Sequence, residues 1–288
     1  MVLLRSITTV GGFTLVSRVL GFVRDILIAA MLGAGAGADV FFVAFKLPNL
    51  FRRLFAEGAF ASAFVPLFNR RMVEGQSEAQ RFAESVLSVL LPILIVFGGL
   101  AMVAMPWVVA YFAPEGLESD PEALPIAVMM ARITFPYLLF MSLATLVAAV
   151  LNSLSRFAAA AAAPILLNLC LIGAILGLAN FTETPSHALA WGVAAAGGVQ
   201  FIWLYAACGR AGVWIRLSFP RLTGDVKVLL KRMAPVAVGA GIYQITTRNG
   251  RRMSAARAFL RPAMKRDNVR VVTDSHVGRI LFEGTRAV

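Results

Sequence analysis

Long apolar runs, separated by short polar stretches, make up the first 245 residues of this 288-residue chain. Most runs approach or exceed the roughly 20 apolar residues that an α-helix needs to cross a bilayer, and breakers or charges mark their ends. The pattern predicts six full membrane spans and a partial seventh, in which only about twelve residues, Ala234 to Ile245, precede a polar stretch. The spans are predicted at 6–32, 38–66, 84–112, 124–151, 159–180, 186–208 and 233 onward.

The loops between these spans alternate in charge. Loops 67–83 and 209–232 and the turn at 152–158 carry arginine and lysine. The intervening loops are acidic or neutral, with Glu115, Glu118, Asp120 and Glu122 in one, Glu183 in another and GAGAGA at 33–38. Cytoplasmic loops are the positively charged ones. The alternation therefore predicts a cytoplasmic N-terminus.

Composition supports an all-α polytopic membrane protein. Hydrophobic residues are 59% and charged residues 15% of the chain, and the mean hydropathy is +0.79, whereas roughly a quarter of residues in soluble domains are charged. Of the net charge of +12, residues 248–288 carry +7, from ten basic and three acidic residues. The positive-inside bias accounts for the remaining +5, so no nucleic-acid partner is expected.

Charged and polar residues interrupt the first two predicted spans. A charge near the bilayer centre costs at least about 2.5–3.5 kcal/mol, so several in adjacent helices are expected to face one another or a water-filled cavity. Span one contains Ser17, Arg18, Arg24 and Asp25, and span two contains Asp39, Lys46, Asn49, Arg52, Arg53 and Glu57. The pattern favours a polar cavity lined by these two helices.

Arginines outnumber carboxylates in that set, which favours an anionic guest. The planar fork of arginine matches phosphate or diphosphate. An alternative stays open: Lys46, Arg53 and the Arg24–Asp25 pair could instead extend to lipid headgroups.

Motifs for catalysis or cofactor binding are missing from the sequence. It contains neither GxGxxG nor a P-loop, and its two histidines, His187 and His276, are not spaced as metal ligands. Cys170 and Cys208 lie in apolar runs and are expected to be buried thiols. We therefore expect no enzyme activity, no cofactor and no metal.

Four stretches resemble the lipid II flippase family, MurJ/MviN, of the multidrug/oligosaccharidyl-lipid/polysaccharide (MOP) exporter superfamily. They are SRVLGFVRDILIAAMLGAG (17–35), ADVFFVAFKLPNLFRRLFAEGAFASAFVPLF (38–68), ITFPYLLFMSLATLVAAVLNSLSRF (133–157) and APILLNL (163–169). The resemblance implies a multi-pass bacterial inner-membrane protein of peptidoglycan biosynthesis, cell-wall biogenesis and cell shape. Such a protein moves lipid II, or a related undecaprenyl-diphosphate lipid, across the membrane by alternating access.

The resemblance also implies substrate-binding roles, in which arginines hold the diphosphate and sugar in a cationic cavity. The matching positions are Ser17, Arg18, Arg24, Asp25, Asp39, Asn49, Arg52 and Glu57. Family members continue with a second lobe, so residues 1–232 correspond to the N-terminal lobe and 233–247 to a partial seventh span. Transport is expected to be impaired in a single lobe, because alternating access moves one lobe against the other. A non-transporting membrane scaffold is the alternative.

The tail has a different pattern. A helix-like run at 253–266 precedes strand-like alternation at 269–284. Residues 248–288 resemble a fragment of the glucose-methanol-choline (GMC) flavin oxidoreductases that lacks the family's dinucleotide-binding glycines and catalytic histidine. The resemblance implies a junction near Thr246–Arg248 and a less favoured alternative, a fragment of a choline-dehydrogenase-like enzyme. The residues do not indicate an oligomeric state.

Overall fold

The computed structural model describes residues 2–33, 36–55, 59–112 and 123–243, together with four two-residue strands in the tail. Nine α-helices occupy these ranges. Their bounds are α1 Val2–Leu32, α2 Ala36–Phe55, α3 Ala59–Glu74, α4 Gln76–Phe112, α5 Ala123–Thr134, α6 Pro136–Ser153, α7 Phe157–Gly173, α8 Pro185–Arg210 and α9 Gly224–Tyr243. A π-helical turn, Ala174–Leu178, and a 3₁₀ turn, Ala179–Phe181, extend α7.

These helices follow the predicted spans and confirm the all-α membrane class. Within the described residues, four helical stretches are long and apolar enough to cross a membrane: Gln76–Phe112, Ala123–Ser153, Phe157–Phe181 and Pro185–Arg210. The helix that contains the third predicted span begins at Gln76, before the predicted start at residue 84, because the preceding polar stretch is part of the same helix. The second and fourth predicted spans are each divided into two helices.

The second span is divided between α2 and α3, which pack against different partners. Leu47 of α2 lies in a cluster with Met105 and Val109 from the end of α4. Phe64 of α3 instead stacks on Phe82, near the beginning of α4, with 5.4 Å between ring centroids. Because α4 runs in the opposite direction, α2 and α3 together follow its length.

The fourth span is interrupted just before Pro136. Phe135 still donates its N–H to the Ala131 carbonyl at 2.9 Å. Pro136 has no N–H, so the carbonyl of Arg132 loses its helical donor. The fourth span therefore consists of two consecutive helices, α5 and α6.

The core surrounds α8, which packs against α2, α5, α6 and α7. Small residues allow membrane helices to approach closely. At Gly192 of α8, a Cβ would lie only 2.6 Å from the Cβ of Ala174. The glycine is thus required by the contact between α8 and the π-helical turn.

An ion-pair cluster joins α3 to the beginning of α9. Arg71 pairs with Glu74 and with Asp225, and its Nε lies 2.9 Å from Oδ2 of Asp225. Hydrogen bonds to Glu74 and Asp225 raise the pKa of Arg71 above its ordinary value. The basic loop before α9 is therefore anchored to α3 outside the apolar layer.

The chain divides into two units, Met1–Val238 and Gly239–Val288. In the second unit, β1 (Thr247–Arg248) pairs antiparallel with β2 (Arg251–Arg252), and β3 (Phe282–Glu283) pairs antiparallel with β4 (Arg286–Ala287). The strand β3 falls within the predicted strand-like stretch, whereas the helix-like run at 253–266 lies outside the described residues.

Candidate functional site

Arg24 is the centre of a hydrogen-bond network between α1 and α7. Its Nη1 donates to Oδ1 of Asn168 at 2.8 Å, and its Nε and Nη2 donate to Oδ1 of Asp25 at 2.9 and 2.7 Å. Asn168 is 4% exposed, and its Nδ2 donates to the main-chain carbonyl of Ser17 at 2.9 Å. Both ends of the Asn168 amide are therefore used to hold α1 and the Arg24 side chain in place.

The sequence of α1 explains why this network forms. Ser17, Gly21 and Arg24 are spaced at i, i+4 and i+7, which places them on one face of a helix. Gly21 lies directly against Asn168, since a Cβ at that position would be 3.7 Å from its Nδ2. The missing side chain brings the two helix backbones close enough for the amide to reach the Ser17 carbonyl.

The positive charge of Arg24 is already paired. Asp25 takes two of its N–H donors, and the side chains of Arg24 and Asp25 are 20% and 64% exposed. Arg18, by contrast, is exposed and forms no ion pair with another described residue. Arg18 thus presents a positive charge without an ion pair, whereas Asp25 offsets the charge of Arg24. The predicted cationic cavity stays a prediction.

Two of the predicted polar residues of α2 lie on its exposed face. Asp39 and Lys46 are exposed and Asn49 is half-buried, while Phe41 and Leu47 are buried in the core. Asn49 donates from Nδ2 to the Phe45 carbonyl at 3.1 Å. The amphipathic pattern of α2 therefore separates a polar face from the face that packs on α5 and α8.

Contacts between helices place the polar faces of α1 and α2 at similar depths. Three hydrogen bonds connect the helices in sequence: Asn168 of α7 to Ser17 of α1, Gln200 of α8 to Ala163 of α7 at 3.0 Å, and Ser186 of α8 to Gly37 of α2 at 2.9 Å. α1 runs parallel to α7 and antiparallel to α2. Counting 1.5 Å per residue from these bonds puts Asn168, whose amide accepts a hydrogen bond from the Arg24 guanidinium, within roughly 5 Å of Lys46 and Asn49 in depth.

Two predicted site residues cannot be placed in this arrangement. The backbone of Arg52 belongs to the last turn of α2, and its side chain is outside the described residues. Glu57 also lies outside the described residues. Their predicted binding roles stay predictions.

Asn168 is the residue that the sequence interpretation missed. Its signal was available: it is the one amide in APILLNLCLIGAIL, an otherwise apolar run. A buried amide in a membrane helix must find hydrogen-bond partners. Only the packing of α1 on α7 identifies those partners as Arg24 and Ser17.

Comparisons with known proteins identify the family. The sequence model described as lipid II flippase MurJ matches residues 28–258. A probable lipid II flippase MurJ from Rhizobium tropici is 45% identical over 249 residues, which is 85% of this chain and 47% of that protein. The chain belongs to the lipid II flippase MurJ family. A MurJ protein from Burkholderia cenocepacia is 38% identical over 85% of this chain and 48% of its own length. The chain therefore spans about half the length of the MurJ relatives that it matches.

Solved structures agree on the fold. A lipid II flippase MurJ in an inward closed conformation superposes with a TM-score of 0.64 at 22% identity, over 82% of this chain and 48% of that one. A MOP superfamily transporter from Pyrococcus furiosus superposes with a TM-score of 0.65 at 13% identity, over 84% and 53%. The described helices thus have the architecture of one lobe of a MOP transporter.

A second family model, GMC oxidoreductase, matches residues 230–288. It overlaps the MurJ match between 230 and 258. The predicted junction at Thr246–Arg248 falls inside this overlap. The predicted division of the chain into residues 1–232, 233–247 and 248–288 stays a prediction.

Proposed function

We propose that this chain acts in moving lipid II, or a related undecaprenyl-diphosphate lipid, across the bacterial inner membrane by alternating access. The observation that supports the proposal is the Arg24 network: an arginine in the first predicted span is held by the buried amide of Asn168, which lies at the depth of Lys46 and Asn49. In this proposal the protein is a transporter and does not act as an enzyme.

The diphosphate would bind between the polar faces of α1 and α2. Arg18 and Lys46 supply exposed positive charge, and the Arg24 guanidinium keeps two N–H donors that neither Asp25 nor Asn168 uses. Hydrogen bonds between charged partners are stronger than neutral ones, particularly where water is excluded. Ser17, Asp39, Asn49, Arg52 and Glu57 complete the proposed substrate-binding set.

Asp25 would regulate how strongly Arg24 binds the substrate. An incoming diphosphate must share the guanidinium with this carboxylate or replace it. Because Asp25 is 64% exposed, it can turn toward water at a small cost. This arrangement allows binding without leaving a bare cation in the membrane when the site is empty.

Binding to the chain in nanodiscs tests the proposal directly. We expect lipid II and undecaprenyl diphosphate to be retained in native mass spectra, and Arg18→Gln and Arg24→Gln each to reduce retention at least fivefold. Arg210→Gln, at the far end of α8, is the matched control and should leave retention unchanged. Equal retention by all variants would show that this surface does not bind the diphosphate.

Complementation of a flippase-depleted bacterium separates binding from transport. Growth supported by the chain and lost with Arg24→Gln supports flipping. A chain that inserts and does not bind the lipid would instead be the scaffold considered from the sequence, and bound flavin would indicate the oxidoreductase alternative.

A further inference from the structure

A groove outside the proposed transport site contains an arginine that this site does not use. The groove has a volume of about 790 Å³ and lies between α4, α5 and α8. Met102, Pro106, Met129 and Trp191 contribute to its walls, and Arg132 is the single charged residue among its described lining residues. The groove is thus an apolar channel with one cation.

Only one of the three side-chain nitrogens of Arg132 has a hydrogen-bond partner among the described residues. Its Nε donates to the main-chain carbonyl of Met102 at 3.0 Å. Pro106, four residues later, has no N–H to offer that carbonyl, so Arg132 replaces the missing helical donor. In the part of the chain that the structure describes, its two terminal nitrogens have no hydrogen-bond or ion-pair partner.

The depth of Arg132 makes those free donors significant. It lies nine residues after Ala123, the first residue of the candidate span Ala123–Ser153, or roughly 14 Å along the helix. Met102 lies ten residues before the end of α4, at a similar distance of roughly 15 Å. A guanidinium at this depth within an apolar layer requires an anionic partner or a path to the headgroups.

We propose that this groove binds an anionic phospholipid, with its phosphate on the two terminal nitrogens of Arg132 and an acyl chain along the apolar wall. Charge complementarity selects the occupant, because the guanidinium fork matches two phosphate oxygens. A zwitterionic lipid carries an ammonium group that offsets its own phosphate, and an anionic lipid does not. Bonds from Cα to Cβ lean toward a helix N-terminus, so the side chain leans toward the end of the span at Ala123.

The glutamine variant separates this role from a purely structural one. In Arg132→Gln, the amide nitrogen occupies the position of Nε and can still donate to Met102. The variant removes only the charge and the terminal nitrogens. A role confined to replacing the donor missing at Pro106 therefore predicts no change in lipid binding.

Quenching of Trp191 fluorescence measures occupancy of the groove. The full chain, with Trp107, Trp203 and Trp214 changed to phenylalanine, is placed in bilayers of phosphatidylcholine and phosphatidylglycerol in which either lipid is brominated on its acyl chains. We expect brominated phosphatidylglycerol to quench Trp191 at least threefold more than its share of the bilayer predicts. The excess should disappear in Arg132→Gln and persist in Arg210→Gln, a control roughly 28 Å further along α8.

Native mass spectrometry of the chain with all four tryptophans provides the second measurement. We expect one fewer retained phosphatidylglycerol in Arg132→Gln than in the unmodified chain. Quenching in proportion to bulk composition, or equal lipid retention by the two chains, would overturn the proposal. Both results would mean that bulk lipid or protein covers the groove without recognising the arginine.

Discussion

The hydroxyl of Thr134 on α5 donates a hydrogen bond of 3.0 Å to the main-chain carbonyl of Ala44 on α2. Pro48 follows four residues after Ala44 and lacks the N–H that would bond to this carbonyl within α2. Thr134 also lies 3.1 Å from the Ala131 carbonyl of its own helix, so its single proton is shared. The same relationship occurs between Arg132 and Met102, where Pro106 removes the donor. At both sites, a side chain of a neighbouring helix thus supplies the hydrogen-bond donor that the proline lacks.

Removing the Thr134 hydroxyl should destabilise the bundle because of Pro48. We expect Thr134→Val to lower the free energy of unfolding by about 1 kcal/mol, within the range of hydrogen bonds between membrane helices. Stability is measured by titrating denaturing detergent into mixed micelles. In Pro48→Ala, the restored N–H satisfies Ala44, and the cost of Thr134→Val should fall by at least half. An equal cost in both backgrounds would mean that the hydroxyl has another role.

Asn168 should position Arg24 for binding an anionic lipid. A hydrogen bond to a charged group contributes about 1.5–3 kcal/mol, so Asn168→Leu should weaken retention of undecaprenyl diphosphate in nanodiscs by about tenfold. Asn168→Asp still accepts from Arg24 and should retain most of the binding. The exposed Asn152→Leu is the control.

A double-mutant cycle distinguishes positioning from general destabilisation. If Asn168 acts through Arg24, Asn168→Leu should have little further effect on binding in an Arg24→Gln chain. Additive losses would show that the two residues act independently and would contradict the positioning role.

Gly192 should tolerate no larger residue, whereas Gly198 in the same helix should. Gly192→Ala places a Cβ 2.6 Å from the Cβ of Ala174, and overpacking of this kind costs about 1–3 kcal/mol. Nothing lies within 4 Å of a Cβ at Gly198, so Gly198→Ala should be neutral or slightly stabilising. The comparison uses the same detergent titration. Equal stability of the two variants would contradict the close contact between α8 and the π-helical turn.

The cytoplasmic N-terminus predicted from the loop charges determines which loops can be labelled from outside the cell. Ser77 and Glu183 are both exposed, on opposite ends of the bundle. In a chain whose Cys170 and Cys208 are replaced by alanine, Glu183→Cys should react with a membrane-impermeant maleimide on spheroplasts. Ser77→Cys should react only after lysis. The reverse pattern would place the N-terminus in the periplasm.

Local sequence determined the membrane class, the order of the spans and the loop charges of this protein. The length of an apolar run and the sign of a loop charge depend on neighbouring residues, and they set which segments leave water. The polar positions of α1 and α2 were visible for the same reason, since a charge in an apolar run stands out without knowledge of its partners.

Tertiary structure alone decided how those polar groups are satisfied. The sequence shows Arg24, Asn168, Thr134 and Arg132 as polar residues in apolar helices. Their partners are Ser17, Asp25, Ala44 and Met102, three of them main-chain carbonyls on another helix. Main-chain carbonyls carry no signature of residue type, and which one is free depends on a proline and on the helix packed beside it. Helix packing therefore decides that Arg24 belongs to a network with Asn168, and that Arg132 lies in an apolar groove.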